Sequence, residues 1–242
     1  MKIIYLKDDV EVLWPYFLDY CLHSKPYDRL HHSAGVGSRK MRLHQIRKEF
    51  NDFTEDHEVY MMTDNDSVIS AAFLRLEKGV IDVDFIFGIR KNCSSSHLMK
   101  AMHYGWDFVL KKYNKNYLKT EITRNFKKNS FKKWVERYDK RAIIFNDDAN
   151  SVVWCKSDRM KAKFKVVGAN KNTEHLMGQE AVLGKTHKTN SFLMRELVFG
   201  EQVYLLDEKS VDFLPDHVLI KGFLSNNKDR VGTIALEFIP QK

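Results

Sequence analysis

Val80-Ile81-Asp82-Val83-Asp84-Phe85-Ile86-Phe87-Gly88-Ile89 runs directly into Arg90-Lys91-Asn92-Cys93-Ser94-Ser95-Ser96-His97-Leu98. In the first part Ile81, Val83, Phe85 and Phe87 alternate with Asp82 and Asp84. That period of two puts an apolar row on one face of a strand and two carboxylates on the other. The polar residues 91–95 interrupt the alternation, and beyond them Leu98, Met99, Met102, Trp106, Val109 and Leu110 recur at helical spacing over residues 96–112. Ser94, Ser95 and Ser96 stand where an N-cap is needed, with hydroxyls that accept from the first free backbone N–H groups of a helix. A strand, a short loop and a helix N-terminus thus follow one another, and such a junction points backbone N–H groups at any anion held in the loop.

Working outward, residues 2–6 read as an opening strand and residues 10–21 as a helix with Val10, Leu13, Phe17 and Leu18 on one side. A Gly/Ser/His-rich loop at 31–39 precedes a second helix at 41–53, carried by Leu43, Ile46, Phe50 and Phe53. Residues 58–62 and 68–76 read as strands joined by the turn Asp64-Asn65-Asp66. After the helix at 96–112 come a strand at 117–123 and a Lys-bearing helix at 129–138, whose buried side is Phe131, Trp134, Val135 and Tyr138. Strands at 142–145 and 151–155 follow, around Asn146-Asp147-Asp148. From Lys161 onward only short strands are expected, at 164–167, 179–183, 192–198, 202–206, 211–214, 218–223 and 231–238. Gly168, Gly178, Gly184, Gly200 and Asn226-Asn227 punctuate them, which argues a small barrel or sandwich.

The chain has 242 residues, 43% of them hydrophobic and 30% charged, with 16 Phe, 10 Tyr and 4 Trp. That apolar content excludes a disordered chain and suffices for one large or two smaller cores. Cys21, Cys93 and Cys155 are too scattered for a disulfide framework or a CxxC metal site, and the ten histidines show no zinc spacing; no metal is expected. No apolar run reaches the roughly 18 residues of a membrane span, and residues 1–7 lack the pattern of a signal peptide. The formal net charge is +8, but the segment 111–141 carries 12 basic side chains against Glu121, Glu136 and Asp139, a local +9. A cationic stripe of this kind attracts phosphates, and it also reads as a solvated helix face.

The order helix, helix, three antiparallel strands, loop, helix, strand, helix, two strands in residues 1–157 resembles the GNAT family of N-acetyltransferases. The resemblance implies an α+β chain, with a mixed central sheet flanked by helices. Members of that family hold the pyrophosphate of acetyl-CoA in a segment written R-x-x-G-x-G/A-x-x-L. Here Arg90 and Leu98 match, while Cys93 and Ser95 occupy the two small-residue positions. Acetyl-CoA is therefore the implied cofactor, with Arg90, Lys91, Cys93, Ser94, Ser95 and Ser96 as its contacts. Cys and Ser adopt positive φ less freely than Gly, so the same serines also read simply as a helix cap. The family's later N-x-x-A-x-x-x-Y helix supplies a tyrosine as general acid. Trp134 falls at that position, and an indole N–H is too weak an acid to replace a phenol; Tyr138, one turn on, is the implied acid if the helix is shifted and otherwise a core residue. Asp82 and Asp84 are the implied general bases, or equally the wet face of an amphipathic strand.

These departures make the resemblance that of a catalytically degenerate member, similar to acetyltransferase-like proteins of tailed bacteriophages. Residues 158–242 similarly look like an appended SH3-like barrel. A virion component or host-interaction protein is the leading expectation, with a virion or host protein as partner and the host cytoplasm or the virion as location. One alternative is an active acetyl-CoA-dependent N-acyltransferase. Another is a nucleic-acid binder using Lys111, Lys112, Lys115, Arg124, Lys127, Lys128, Lys132 and Lys133, with Tyr113, Tyr117, Phe126, Phe131 and Trp134 interleaved for stacking, although the spacing of Phe131 and Trp134 also reads as core.

Overall fold

The computed structural model describes residues 1–23, 39–89, 94–121, 140–144, 151–156, 162–189, 192–215, 217–226 and 229–239. The helix expected at 129–138, the turn at 146–148 and most of the loop at 31–39 lie outside the described residues. The first elements are β1 (Lys2–Tyr5), a 3-10 turn (Val10–Leu13), α1 (Trp14–His23) and α2 (Arg39–Asp56). Then come β2 (Glu58–Asp64), β3 (Ser67–Leu76), β4 (Ile81–Gly88), α3 (Ser95–Lys112), β5 (Tyr117–Glu121), β6 (Ala142–Ile144) and β7 (Ser151–Cys155). These strands form a seven-stranded mixed sheet in the order β1-β2-β3-β4-β5-β7-β6. β8 (Lys163–Ala169), β9 (Glu180–Thr189), β10 (Phe192–Phe199), β11 (Gln202–Phe213), β12 (Val218–Asn226) and β13 (Asp229–Ile239) close into a barrel. The fold is thus α+β, as the sequence implies.

The chain divides into two compact units, Met1–Leu76 with Asp82–Val109, and Glu77–Ile81 with Leu110–Lys242. In the first, β2 and β3 pair antiparallel about Asn65 and Asp66, whose φ values of 47° and 60° are both left-handed. A two-residue hairpin loop needs that conformation to follow the strand twist, and Asn and Asp tolerate it better than other side chains. One sheet face receives α1 and α2. Phe17, fully buried, has ring neighbours Phe50 at 5.2 Å, Phe85 at 5.6 Å, Phe87 at 6.0 Å and Phe73 at 6.1 Å. Ile46, Phe50 and Phe53 bring α2 to this cluster because they recur on one helix face. Met62, Ile69 and Ala101 form a second cluster, through which α3 packs on the sheet. Gly105 faces Met62 there: a Cβ would lie 2.9 Å from Met62 Cε, the free end of a flexible side chain.

In the second unit every barrel strand pairs antiparallel with its sequence neighbours, and β13 returns to β8. Closure leaves no sheet edge to cap. Inward residues alternate with outward ones along β12 and β13: Val218, Ile220 and Leu224, then Ile234, Leu236 and Phe238, are all buried. The sequence suggests a break between 206 and 211, where Asp207-Glu208-Lys209-Ser210 looks like a loop. The structure carries β11 straight through, with a bulge between Glu208 and Ser210, because Glu208 turns inward and pairs with Arg195. The barrel core is continuous with Val80, Tyr117, Ile143, Val153 and Cys155. Tyr117 Oη donates to the Phe238 carbonyl at 3.5 Å, and the Phe164 and Phe238 rings lie 5.1 Å apart.

Candidate functional site

Of the two carboxylates on β4, Asp82 is buried, whereas the Asp84 side chain is 38% exposed. Asp84 Oδ2 accepts from Arg75 Nη2 at 2.8 Å and lies 2.9 Å from His57 Nε2. His57 is also 3.4 Å from the same Arg75 nitrogen and meets the Phe53 ring edge-on at 5.4 Å. Its side chain is only 3% exposed, and Nδ1 is buried with no hydrogen-bond partner among the described residues. A carboxylate, a guanidinium and an imidazole therefore converge at one end of the β2–β3 hairpin. Sequence reading singled out Asp84 but neither His57 nor Arg75. The signal was in the hairpin register: Glu58 pairs with Leu74, so one further step sets His57 across from Arg75.

At the start of α3, Ser94 Oγ accepts from the His97 backbone N–H at 3.2 Å, an N-cap in the usual N3 geometry, and sits 3.1 Å from Ser96 Oγ. His97 Nε2 is 3.2 Å from Asp64 Oδ2, and Asp64 Oδ1 is 3.0 Å from the Met1 ammonium. A carboxylate thus already faces the first turn of the helix, where the partial positive charge of the N-terminus favours an anion. Arg90, Lys91 and Cys93 lie outside the described residues, as does the side chain of Ser95. The groups that are described fit the pyrophosphate of CoA poorly: one hydroxyl is committed to the cap and a carboxylate is turned toward the same helix end.

Tyr138, Arg124, Lys127, Lys128, Lys132 and Lys133 also lie outside the described residues. Of the remaining basic candidates, Lys115 donates from Nζ to the carbonyls of Lys78 at 2.6 Å and Glu77 at 3.0 Å, holding the β3–β4 turn. Lys112 Nζ lies 5.1 Å from the Tyr113 ring centroid, and Lys111 is exposed at the end of α3. That helix ends at Lys112, and the left-handed φ of 49° at Asn114 lets the Lys115 N–H reach the Leu110 carbonyl at 2.9 Å. Among the described residues no three His, Cys, Asp or Glu side chains gather as a metal set. No helix among them is long and apolar enough to cross a membrane.

No family model matches the chain, and no curated protein matches it. Solved structures do. A probable acetyltransferase from Staphylococcus epidermidis ATCC 12228 is similar at 10% identity and a TM-score of 0.42, over 64% of this chain and 99% of that one. The PaiA N-acetyltransferase from Thermoplasma acidophilum, in complex with coenzyme A, is similar at 13% identity and a TM-score of 0.42, over 63% and 97%. An acetyltransferase from Streptococcus agalactiae 2603 is similar at 12% identity and a TM-score of 0.38, over 63% and 95%.

Proposed function

We propose that this chain is an acetyltransferase-like protein that no longer transfers acetyl groups and acts by contacting a macromolecular partner, as a bacteriophage virion or host-interaction component. The observation that carries the loss of chemistry is the engagement of Asp84. Its Oδ2 is shared between Arg75 and His57, so the carboxylate orients its neighbours instead of waiting for a substrate proton. The Ser94 cap and the Asp64 carboxylate at the start of α3 point the same way, since both take up what an incoming pyrophosphate would need. The phage setting and the SH3-like reading of the barrel rest on the sequence resemblance. In this reading the barrel supplies the partner-binding surface.

The test is thermal. A ligand that binds only the folded state raises its stability, by about 2.7 kcal/mol at a hundredfold excess over Kd. Acetyl-CoA at a millimolar concentration is expected to leave the melting temperature unchanged, and radiolabelled acetyl-CoA to label no amine acceptor. A saturable rise in melting temperature together with acetyl transfer overturns the proposal. Proteomic detection of the chain in purified particles or in a host complex tests the biological setting.

The active-acyltransferase reading has one specific observation in its favour, the His57 Nδ1 atom. An imidazole paired at Nε2 with a carboxylate is the arrangement of a positioned base, and because Nδ1 is buried this reading requires the site to open to its substrate. If transfer is observed, His57→Gln is expected to abolish it while leaving acetyl-CoA binding intact.

A further inference from the structure

The outer wall of the barrel is concave along one path. On β8 and β13 the outward positions Gly168, Ala235 and Thr233 are small, and they floor a groove of about 410 Å³. Gly168 pairs with Ala235 in register, and Thr233 with Phe223, so the floor crosses strands instead of following one. Asn170 stands at one rim, and Lys209, Lys221 and Phe223 at the other. On a convex barrel such a channel exists only because short side chains are flanked by long ones.

The rim has a definite chemistry. Among the described residues the lining contains two lysines and no carboxylate. Asp207 and Asp212 touch Lys209 at 2.8 Å and Lys221 at 3.3 Å from outside the lining. Both lysine side chains are about half exposed, and surface pairs of this kind are worth about 0–1 kcal/mol, so Asp207 and Asp212 do not lock the lysines against a competing anion. Phe223 carries Arg230 Cζ at 3.2 Å and Lys209 Nζ at 5.2 Å from its ring centroid. A nucleobase has a π-face that continues such a cation–aromatic stack, and the phosphates of its backbone match Lys221, two residues from Phe223 on β12, and Lys209 on β11. An acidic peptide satisfies the lysines but leaves the stack unused. A duplex presents no unstacked base to it.

From this juxtaposition of two lysines, a cation-stacked phenylalanine and a small-residue floor we propose that the barrel groove binds single-stranded nucleic acid, at a site separate from the basic segment 111–141. Binding follows phosphate charge for affinity and stacking for the preference for single strands.

The experiment uses the full chain and fluorescence anisotropy with labelled dT12 and U12, compared with a labelled duplex of the same length and a twelve-residue polyglutamate. Binding to at least one single strand is expected, tighter than to the duplex and weakening with salt. Phe223→Leu is expected to weaken it about tenfold with the circular dichroism spectrum unchanged, and Phe223→Tyr to restore it. Changing Lys209 and Lys221 together to Gln is expected to lower the slope of log affinity against log salt by about 1.4, about 0.7 for each phosphate contact on a single strand. The control Lys100→Gln, in the other unit, is expected to change neither. The proposal is overturned if neither single strand binds, if polyglutamate or duplex binds as well as the single strands, or if Lys111→Gln with Lys112→Gln removes binding that Phe223→Leu leaves intact.

Discussion

Arg195 and Glu208 face each other inside the barrel with 3% and 0% of their side chains exposed, a charge pair among Leu197, Leu206 and Leu224. Each sits at a register shift, Arg195 on β10 against β9 and Glu208 on β11 against β12. Bulges re-aim side chains, and here they turn two ionic groups into an apolar interior. A buried pair returns little net stability, but removing one partner strands the other charge. Glu208→Gln is therefore expected to cost about 3–5 kcal/mol in urea denaturation, while Arg195→Met combined with Glu208→Leu is expected to match the wild type or exceed it. Equal losses from the single and double variants would show that the pair contributes through packing alone. A second residue-scale expectation concerns Tyr5, whose phenol is pushed up to about 12 by its hydrogen bond to Glu58, then by burial and by the Glu58 charge. The folded value lies above the ordinary 10, so the stabilisation is fully present below pH 10 and is lost as pH rises through about 12. Tyrosinate absorbance should show a late-titrating phenol in the wild type that is missing from Tyr5→Phe and shifted down in Glu58→Gln.

Among the elements, α3 and the β3–β4 turn are each held by a few identifiable contacts. Ser94 satisfies one of the free N–H groups that open α3, so Ser94→Ala is expected to cost about 0.5–2 kcal/mol and Ser94→Gly only a few tenths, read from thermal unfolding. Gly79 has a different reason to be glycine: a Cβ there would overlap the Leu214 carbonyl and lie 2.8 Å from that of Phe213. Backbone cannot give way as a flexible side chain can, so Gly79→Ala is expected to destabilise the second unit by more than 1 kcal/mol in the same measurement. Most elements were legible from period alone. Ile46, Phe50 and Phe53 announce α2, and the alternation in 81–87 announces β4. β11 was not, because Asp207-Glu208-Lys209-Ser210 is polar throughout, and nothing local tells an inward glutamate from a loop glutamate. Asp84 was legible as a candidate but its partners were not, since His57 and Arg75 meet it only through the β2–β3 register.

At the scale of the molecule, the barrel does not stand on its own core. Val80, Tyr117, Ile143, Val153 and Cys155 share one buried cluster with Phe164, Phe238 and the other barrel residues, and Lys115 ties the 77–78 carbonyls to the same unit. Tyr117 is fully buried there, with its ring 6.2 Å from that of Phe238. Truncating a buried aromatic costs about 3–5 kcal/mol, so Tyr117→Ala should raise the hydrogen-exchange rates of β5–β7 and of β12–β13 together. Loss of protection confined to β5–β7 would mean that the two parts unfold separately. A fragment ending at residue 157 would leave those five apolar residues without their barrel partners, and it is expected to aggregate on gel filtration where the full chain does not.

What the sequence by itself determined is whatever depends on neighbours in the chain: the strand–loop–helix junction at 80–98, the periods of two and 3.6 that mark the elements, the Asn65-Asp66 turn, the change of grammar after Lys161, and the cationic stripe at 111–141. These follow from local steric and burial preferences that act within a few residues. The tertiary structure alone decided which distant side chains meet: His57 and Arg75 at Asp84, Arg195 with Glu208 across two bulges, and Lys209 and Arg230 at the Phe223 ring. Strand register and barrel closure set those meetings. Both are settled by the packing of the whole unit, where a shift of one residue would turn every side chain to the opposite face.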